Sequence, residues 1–206
     1  MQSRLKNMRA EEQSKKSLAD AVVNPHQQDC GYPYKELCGA GVAWNVIRVL
    51  YENYDMDKRE AEDLLDFVAM ATVCDVMSLT GENRILVKEG LKRIRHTKNI
   101  GLQALMQACN VQPENISAYH FGYVLGPCVN ATGRLDTARH ALRLFETGQE
   151  TEAEEIARDL VDLNQERKEL TLQGVEMAKK LCEEGGYEND PVLFCFCRMS
   201  TKALQD

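Results

Sequence analysis

The sequence predicts a mainly α fragment of an α/β protein, and three observations carry that expectation. Amphipathic stretches follow one another from Gly39 to Glu184. One of them, Glu150 to Glu184, keeps Ala153, Ile156, Ala157, Leu160, Leu163, Leu170, Val175, Ala178 and Leu181 at three- and four-residue spacing, the period of one long helix. Strand-like runs occur only near the ends, at Ala19–Asn24 and from Pro191 to Phe196.

Taken in order, residues 1–18 are polar and lysine-rich, without periodicity. The short strand candidate at Ala19–Asn24 stops at Pro25, and a Gly/Pro/Tyr loop follows. Gly39 to Tyr54 reads as a helix whose small first residues suit close packing, and Asp57 can cap the next helix. Leu64, Leu65, Val68, Ala69, Ala71, Thr72, Val73 and Val76 make that helix apolar nearly all round, which places it centrally. Glu82 to Arg95 is expected to turn Ile85, Leu86, Leu91 and Ile94 inward. A short helix covers Leu102 to Cys109, Pro113 opens another, and Gly126-Pro127 is expected to break the chain. Helix resumes from Arg134 to Glu146, and the long charged helix ends at Gly185-Gly186. A helix of that length and polarity usually joins two bodies.

Composition narrows the class. The 206 residues suffice for one domain with a core, or for parts of two. With 28% charged and 44% hydrophobic residues the chain reads as soluble and globular. It has no apolar run long enough for a membrane span and no apolar stretch after Met1 of the kind a signal peptide needs. Eight cysteines without metal-type spacing imply reduced thiols and a cytoplasmic protein; Cys195-Phe-Cys197 lacks a second pair for zinc. A net charge of −7 argues against non-specific coating of DNA, although a narrow basic groove is compatible with it. Lys88, Lys92, Arg93, Arg95 and Lys98 form a local basic patch that suits either a solvated helix face or a single-strand track.

Three segments carry chemistry. Ala71-Thr-Val-Cys-Asp-Val-Met-Ser-Leu-Thr-Gly-Glu-Asn-Arg84 places Asp75 in an apolar run, where a buried carboxylate must be hydrogen-bonded, paired or metal-bound. Asn24-Pro-His-Gln-Gln-Asp-Cys-Gly-Tyr-Pro-Tyr34 runs into Leu37-Cys-Gly-Ala-Gly-Val-Ala-Trp44. Leu125-Gly-Pro-Cys-Val-Asn-Ala-Thr-Gly-Arg-Leu135 is the third. On residues alone, Asp75 is either a capped core aspartate or a ligand, and Arg134 either starts a helix at the surface or meets a phosphate. His26, His96, His120 and His140 are scattered and read as structural or surface residues.

In this order and at these separations, the three segments resemble the RecJ exonucleases of the DHH phosphoesterase superfamily, over Ala19 to Leu193. The resemblance implies the helical second half of a DHH domain at 19–149, a connecting helix at 150–186 and the truncated start of a DHHA1 domain at 187–206. It implies a metal-dependent 5′–3′ exonuclease that uses two Mn²⁺ or Mg²⁺ ions on single-stranded DNA in recombination and repair. Thr72-Val-Cys-Asp-Val-Met-Ser-Leu79 matches the family's fourth metal motif, T-V-A-D-V-V-P-L, and this carries a metal-ligand role onto Asp75. Gly126-Pro-Cys-Val-Asn-Ala-Thr-Gly-Arg134 matches G-P-x-x-N-A-A-G-R, which makes Asn130 and Arg134 the substrate-binding candidates; many relatives carry Arg where this chain has Cys128, and Lys where it has Asn45. The family's N-terminal aspartate motif, second aspartate motif and D-H-H triplet have no match here, so the chain alone is expected to be inactive and to hold no metal tightly.

The ends depart from the family. Cys195–Asp206 can be recoded in another frame as FLPDVHESLAG and Met1–Leu18 as AEPFEEHEGRRTEQEIL, both close to family sequence at those points. Shifted reading frames are therefore expected, and the nucleotide sequence tests this. Two other readings stand beside the exonuclease: a DHH phosphodiesterase of short oligonucleotides or cyclic dinucleotides, and a non-catalytic helical module or gene remnant. The N-P-x-x-x-D-C-x-Y-P-Y segment and the T-G-E-N-R extension favour RecJ over the former.

Overall fold

The structure, a computed structural model, describes residues 20–131 and 135–185, with side chains at 135–137 excepted. The divergent segment 1–18, the strand expected from Pro191 and Arg134 lie outside the described residues. Among those described, regular structure is entirely helical. The helices are α1 (Gly39–Asn53), α2 (Lys58–Asp63), α3 (Leu65–Cys74), α4 (Gly81–Arg93), α5 (Ile100–Ala108), α6 (Ala118–His120), α7 (Gly126–Val129), α8 (Leu135–Glu146) and α9 (Glu150–Gly185).

Local chemistry explains the starts. Asp57 accepts the Arg59 N–H at 3.0 Å and caps α2 as expected, but the single helix expected to run on from it through Val76 is divided at Leu64 into α2 and α3. Asn99 does the same for α5 through Leu102 N–H at 2.9 Å. Ser117 and His120 form a reciprocal capping box at α6, which gives His120 its structural role.

The expected central helix is α3. It packs along α4 on one side and against α1 on another, so little of its surface meets water. The main core gathers Leu102, Leu105, Phe121, Leu125, Leu144 and Leu160, with Ala69 of α3 at its edge. A smaller cluster joins Leu37, Trp44, Leu65, Val68 and Leu86, and the Trp44 indole N–H is satisfied by Ala61 O at 2.7 Å.

Three expectations are corrected here. Residues 20–24 form no strand, because a strand requires a ladder partner and none exists among the described residues. Ile85 is 61% exposed; the inward face of α4 is Asn83, Leu86, Val87 and Gly90, and Ile94 follows it into the core. The chain does not break at Gly126-Pro127. A π-helical turn at Phe121–Leu125 links α6 to α7, and Gly126 N–H bonds back to Phe121 O. The wider turn absorbs a proline that an ordinary α-turn would reject, and the helix stops at Asn130 instead.

The 36-residue α9 is about 54 Å long at 1.5 Å per residue. Its first half is buried through Ala153, Ile156, Ala157, Leu160 and Asn164, on α5, α7 and α8. Its second half leaves Leu172, Val175, Met177 and Leu181 exposed.

Candidate metal and phosphate site

The end of α3 determines where Asp75 points. Met77 N–H bonds Thr72 O at 3.1 Å and Val76 N–H bonds Val73 O at 3.0 Å, the paired bonds of a Schellman stop. That stop requires a left-handed residue after the cap. Val76 occupies it at φ 55°, a conformation β-branched residues avoid, and its side chain is 88% exposed. The turn throws Asp75 into solvent. The expectation of a buried carboxylate is therefore corrected: the apolar residues before Asp75 are buried, whereas the chain after it heads outward.

The buried carboxylate is Asp66, at the opposite end of α3 and 3% exposed. Thr97 Oγ1 donates to it at 2.6 Å and Phe67 N–H at 2.8 Å. Burial raises its pKa against those two bonds. Asp66 suits the positive helix start, and Asp75 does not suit the negative helix end. The Asp75 carboxylate makes no hydrogen bond or ion pair among the described residues. An exposed anion beside the carbonyl end of a helix is a place that favours a cation.

The residue before Asp75, Cys74, lines a cleft of about 150 Å³ together with Gly122, Gly126, Pro127, Asn130 and Arg167. Asn130 caps α7, its N–H held by Gly126 O at 2.9 Å. Gly126 is required for the approach of α3: a Cβ there would stand 2.4 Å from Cys74 Sγ and 2.6 Å from Phe121 O. Burial and the neighbouring Asp75 charge push the Cys74 thiol up to about 11. The structure thus puts Asn130 in this cleft with Cys74, whereas Asp75 itself is exposed and does not line it. Arg134 lies outside the described residues.

Arg167 was not legible in the sequence, where it is one of many charges along a long helix. Packing of α9 on α7 makes it a wall of the cleft, and its Nη2 donates to Asn164 Oδ1 at 3.0 Å.

Other candidates sort out on geometry. Among the described residues no group of three or more His, Cys, Asp or Glu side chains could hold a metal. The chain's D-x-D spelling, Asp55-Met-Asp57, lies between α1 and α2, and Arg59 occupies the Asp57 carboxylate at 2.9 Å. His140 stands 3.4 Å from Asp159, while His26 and His96 are exposed. The basic patch divides. Arg93 pairs with Glu62, Lys98 with Asp63 at 3.5 Å and Lys92 with Glu89 at 2.7 Å. Lys88 and Arg95, together with Arg84, line an open groove over Leu79 and Leu91.

Two motifs that are distant in sequence prove to be one structure. Tyr32 OH donates to Glu82 Oε1 at 2.6 Å, Tyr34 OH to Thr80 O at 2.8 Å, and Asn83 Nδ2 to Glu36 O at 2.6 Å. Gly81, at φ +48°, lets the Tyr34 ring lie where a Cβ would be 2.7 Å away. The Tyr-Pro-Tyr loop is thereby clamped to the T-G-E-N start of α4, which follows directly from the Asp75 turn.

No family model matches the chain. The single-stranded-DNA-specific exonuclease RecJ of Haemophilus influenzae is 38% identical over 174 residues, which is 80% of this chain and 30% of that protein. RecJ of Bacillus subtilis is 32% identical over 173 residues, 84% of this chain and 21% of that protein. The crystal structure of Thermus thermophilus RecJ in complex with Mn²⁺ superposes with a TM-score of 0.64 at 33% identity, covering 80% of this chain and 23% of that one. Exonuclease RecJ bound to manganese also gives a TM-score of 0.64, at 34% identity over 75% of this chain and 38% of that one. The fold is that of the DHH phosphoesterase superfamily. Within that superfamily the chain belongs to the RecJ family, and it spans about 30% of the length of the H. influenzae relative it matches.

Proposed function

We propose that this chain is part of a RecJ-type 5′–3′ exonuclease of single-stranded DNA, acting in the cytoplasm in DNA recombination and repair. Its role there is to supply one wall of the active cleft and one metal ligand. The observation that carries the reading is Asp75: an exposed carboxylate at the negative end of α3, without a described protein partner, and next in the chain to Cys74, which lines a cleft with Asn130 and Arg167. In this reading Asn130 and Arg134 meet the phosphate, and Arg167 adds a cation from α9. Residues 19–149 belong to the DHH domain, 150–186 to the connecting helix and 187–206 to the start of DHHA1.

Divalent ions in such enzymes activate water and offset phosphate charge. A hard cation takes about six ligands, and Asp75 is one. The described residues do not fit a complete two-ion clamp, and no hydrolytic step is assigned to this chain alone. Lys88, Arg95 and Arg84, which pair with no described carboxylate, are the candidates for backbone phosphates beyond the cleft. The clamp between the Tyr-Pro-Tyr loop and the T-G-E-N segment supports the exonuclease over a dinucleotide phosphodiesterase, since those segments carry the RecJ resemblance.

The partial site is tested with the purified chain and 5′-phosphorylated single-stranded DNA in Mn²⁺ or Mg²⁺. The DNA is expected to remain intact. Robust metal-dependent nucleotide release that Asp75→Ala abolishes would show instead that the chain holds a complete site.

A further inference from the structure

Away from Asp75, two thiols that no catalytic reading uses meet in the interior. Cys109 ends α5 and Cys128 sits in α7, and their sulfurs are 3.7 Å apart. Cys128 is 2% exposed, whereas Cys109 is only partly covered and offers the approach from solvent. The Cys128 sulfur has a built environment. Asn164 Nδ2 reaches it at 3.5 Å, and Asn164 is buried and oriented by Arg167. The thiol form of Cys128 donates to Val124 O at 3.3 Å.

We propose that Cys109 and Cys128 are a peroxide-reactive pair whose oxidation forms an intrachain disulfide, locking the end of α5 to the helix that carries Asn130. The Cys128 thiolate attacks one peroxide oxygen; the S–O bond forms, the O–O bond breaks, and the departing hydroxide takes up a proton to become water. The Cys109 sulfur then attacks the sulfenic sulfur; the S–S bond forms, the S–O bond breaks, and hydroxide leaves with the Cys109 proton as a second water. Two thiols and one hydrogen peroxide thus give a disulfide and two waters. Closing from 3.7 Å to a bond near 2.05 Å moves the sulfurs together by about 1.7 Å.

The surrounding groups choose the attacking sulfur. The Cys109 hydrogen bond, then Asn164, Lys168 and Arg167, draw the Cys128 thiol below its ordinary value, while the same contact and burial push Cys109 up.

This proposal does not rest on the exonuclease reading. The fully reduced chain is treated with one equivalent of hydrogen peroxide, denatured, alkylated, digested and analysed by mass spectrometry. The expected result is a linked Cys109–Cys128 peptide and the loss of two of the eight alkylatable thiols. The oxidised chain should melt at a higher temperature than the reduced one, reversibly with dithiothreitol. In Cys109→Ser, Cys128 should stop as a sulfenic acid trapped by dimedone, with no rise in melting temperature. Recovery of Cys109 and Cys128 as thiols while other cysteines oxidise, linkage of either to a different cysteine, or an oxidised chain that melts no higher would each overturn the proposal.

Discussion

Helices α3 and α5 end in the same way and against the same neighbour, yet with different residues. Each stops with a Schellman pair: Met77 to Thr72 and Val76 to Val73 in one, Val111 to Met106 and Asn110 to Gln107 in the other. Each places a terminal cysteine on the Phe121–Val129 stretch, Cys74 at Gly126 and Cys109 at Cys128. At the left-handed position α5 uses Asn110, at φ 56°, which tolerates it; α3 uses Val76, which does not. The strained end is the one that presents Asp75. Strain without a local packing reason, beside an unpaired carboxylate, is what the proposed metal-ligand role of Asp75 would account for.

Substitutions can break or sharpen this contrast. The largest effect is expected from Gly126→Ala, whose methyl meets Cys74 Sγ and the Phe121 carbonyl; it should cost about 1–3 kcal/mol in urea unfolding and move α3 off the cleft. Asn110→Val, which makes the relaxed end resemble the strained one, should cost about 1–2 kcal/mol. Val76→Asn, the reverse exchange, should gain about 1 kcal/mol. If Val76→Asn instead destabilises the chain, the valine packs in a way that its exposure excludes, and the contrast fails.

The smallest expected effect concerns pH and the other end of α3. Burial lifts the folded-state pKa of Asp66 above the ordinary 3.8. The folded chain therefore binds the proton more tightly than the unfolded chain. This contribution is fully present below the unfolded value and is lost as pH rises through the folded value. Asp66→Asn should flatten that part of the stability–pH curve, as measured by thermal melts from pH 3 upward. An unchanged curve would show that the Thr97 and Phe67 hydrogen bonds fully offset burial.

Much of the fold was legible because hydrophobic period and caps are local. The α1 and α9 boundaries, the Asp57 cap and the buried α3 follow from spacing alone. What escaped depends on contacts across the chain. Gly126-Pro127 reads as a break unless the π turn before it is known, and nothing in Phe121–Leu125 signals that turn. Ile85 fits an amphipathic pattern, but α4 buries the face that holds Asn83 and Val87. Asp75 sits in an apolar run, and an apolar run does not tell which side of a helix stop faces water. Of the candidate site, Asp75 and Asn130 were found through motif resemblance, whereas Arg167 becomes a wall only when α9 packs on α7.

The central claim is that Asp75 is a metal ligand in a RecJ-type nuclease. The most direct test replaces the matching stretch of Haemophilus influenzae RecJ with residues 20–185 of this chain and measures Mn²⁺-dependent release of nucleotides from 5′-phosphorylated single-stranded DNA. The account predicts an active chimera in which Asp75→Ala lowers the rate by at least about 100-fold while single-strand binding without metal is unchanged. An Asp75→Ala chimera as active as its parent would contradict it.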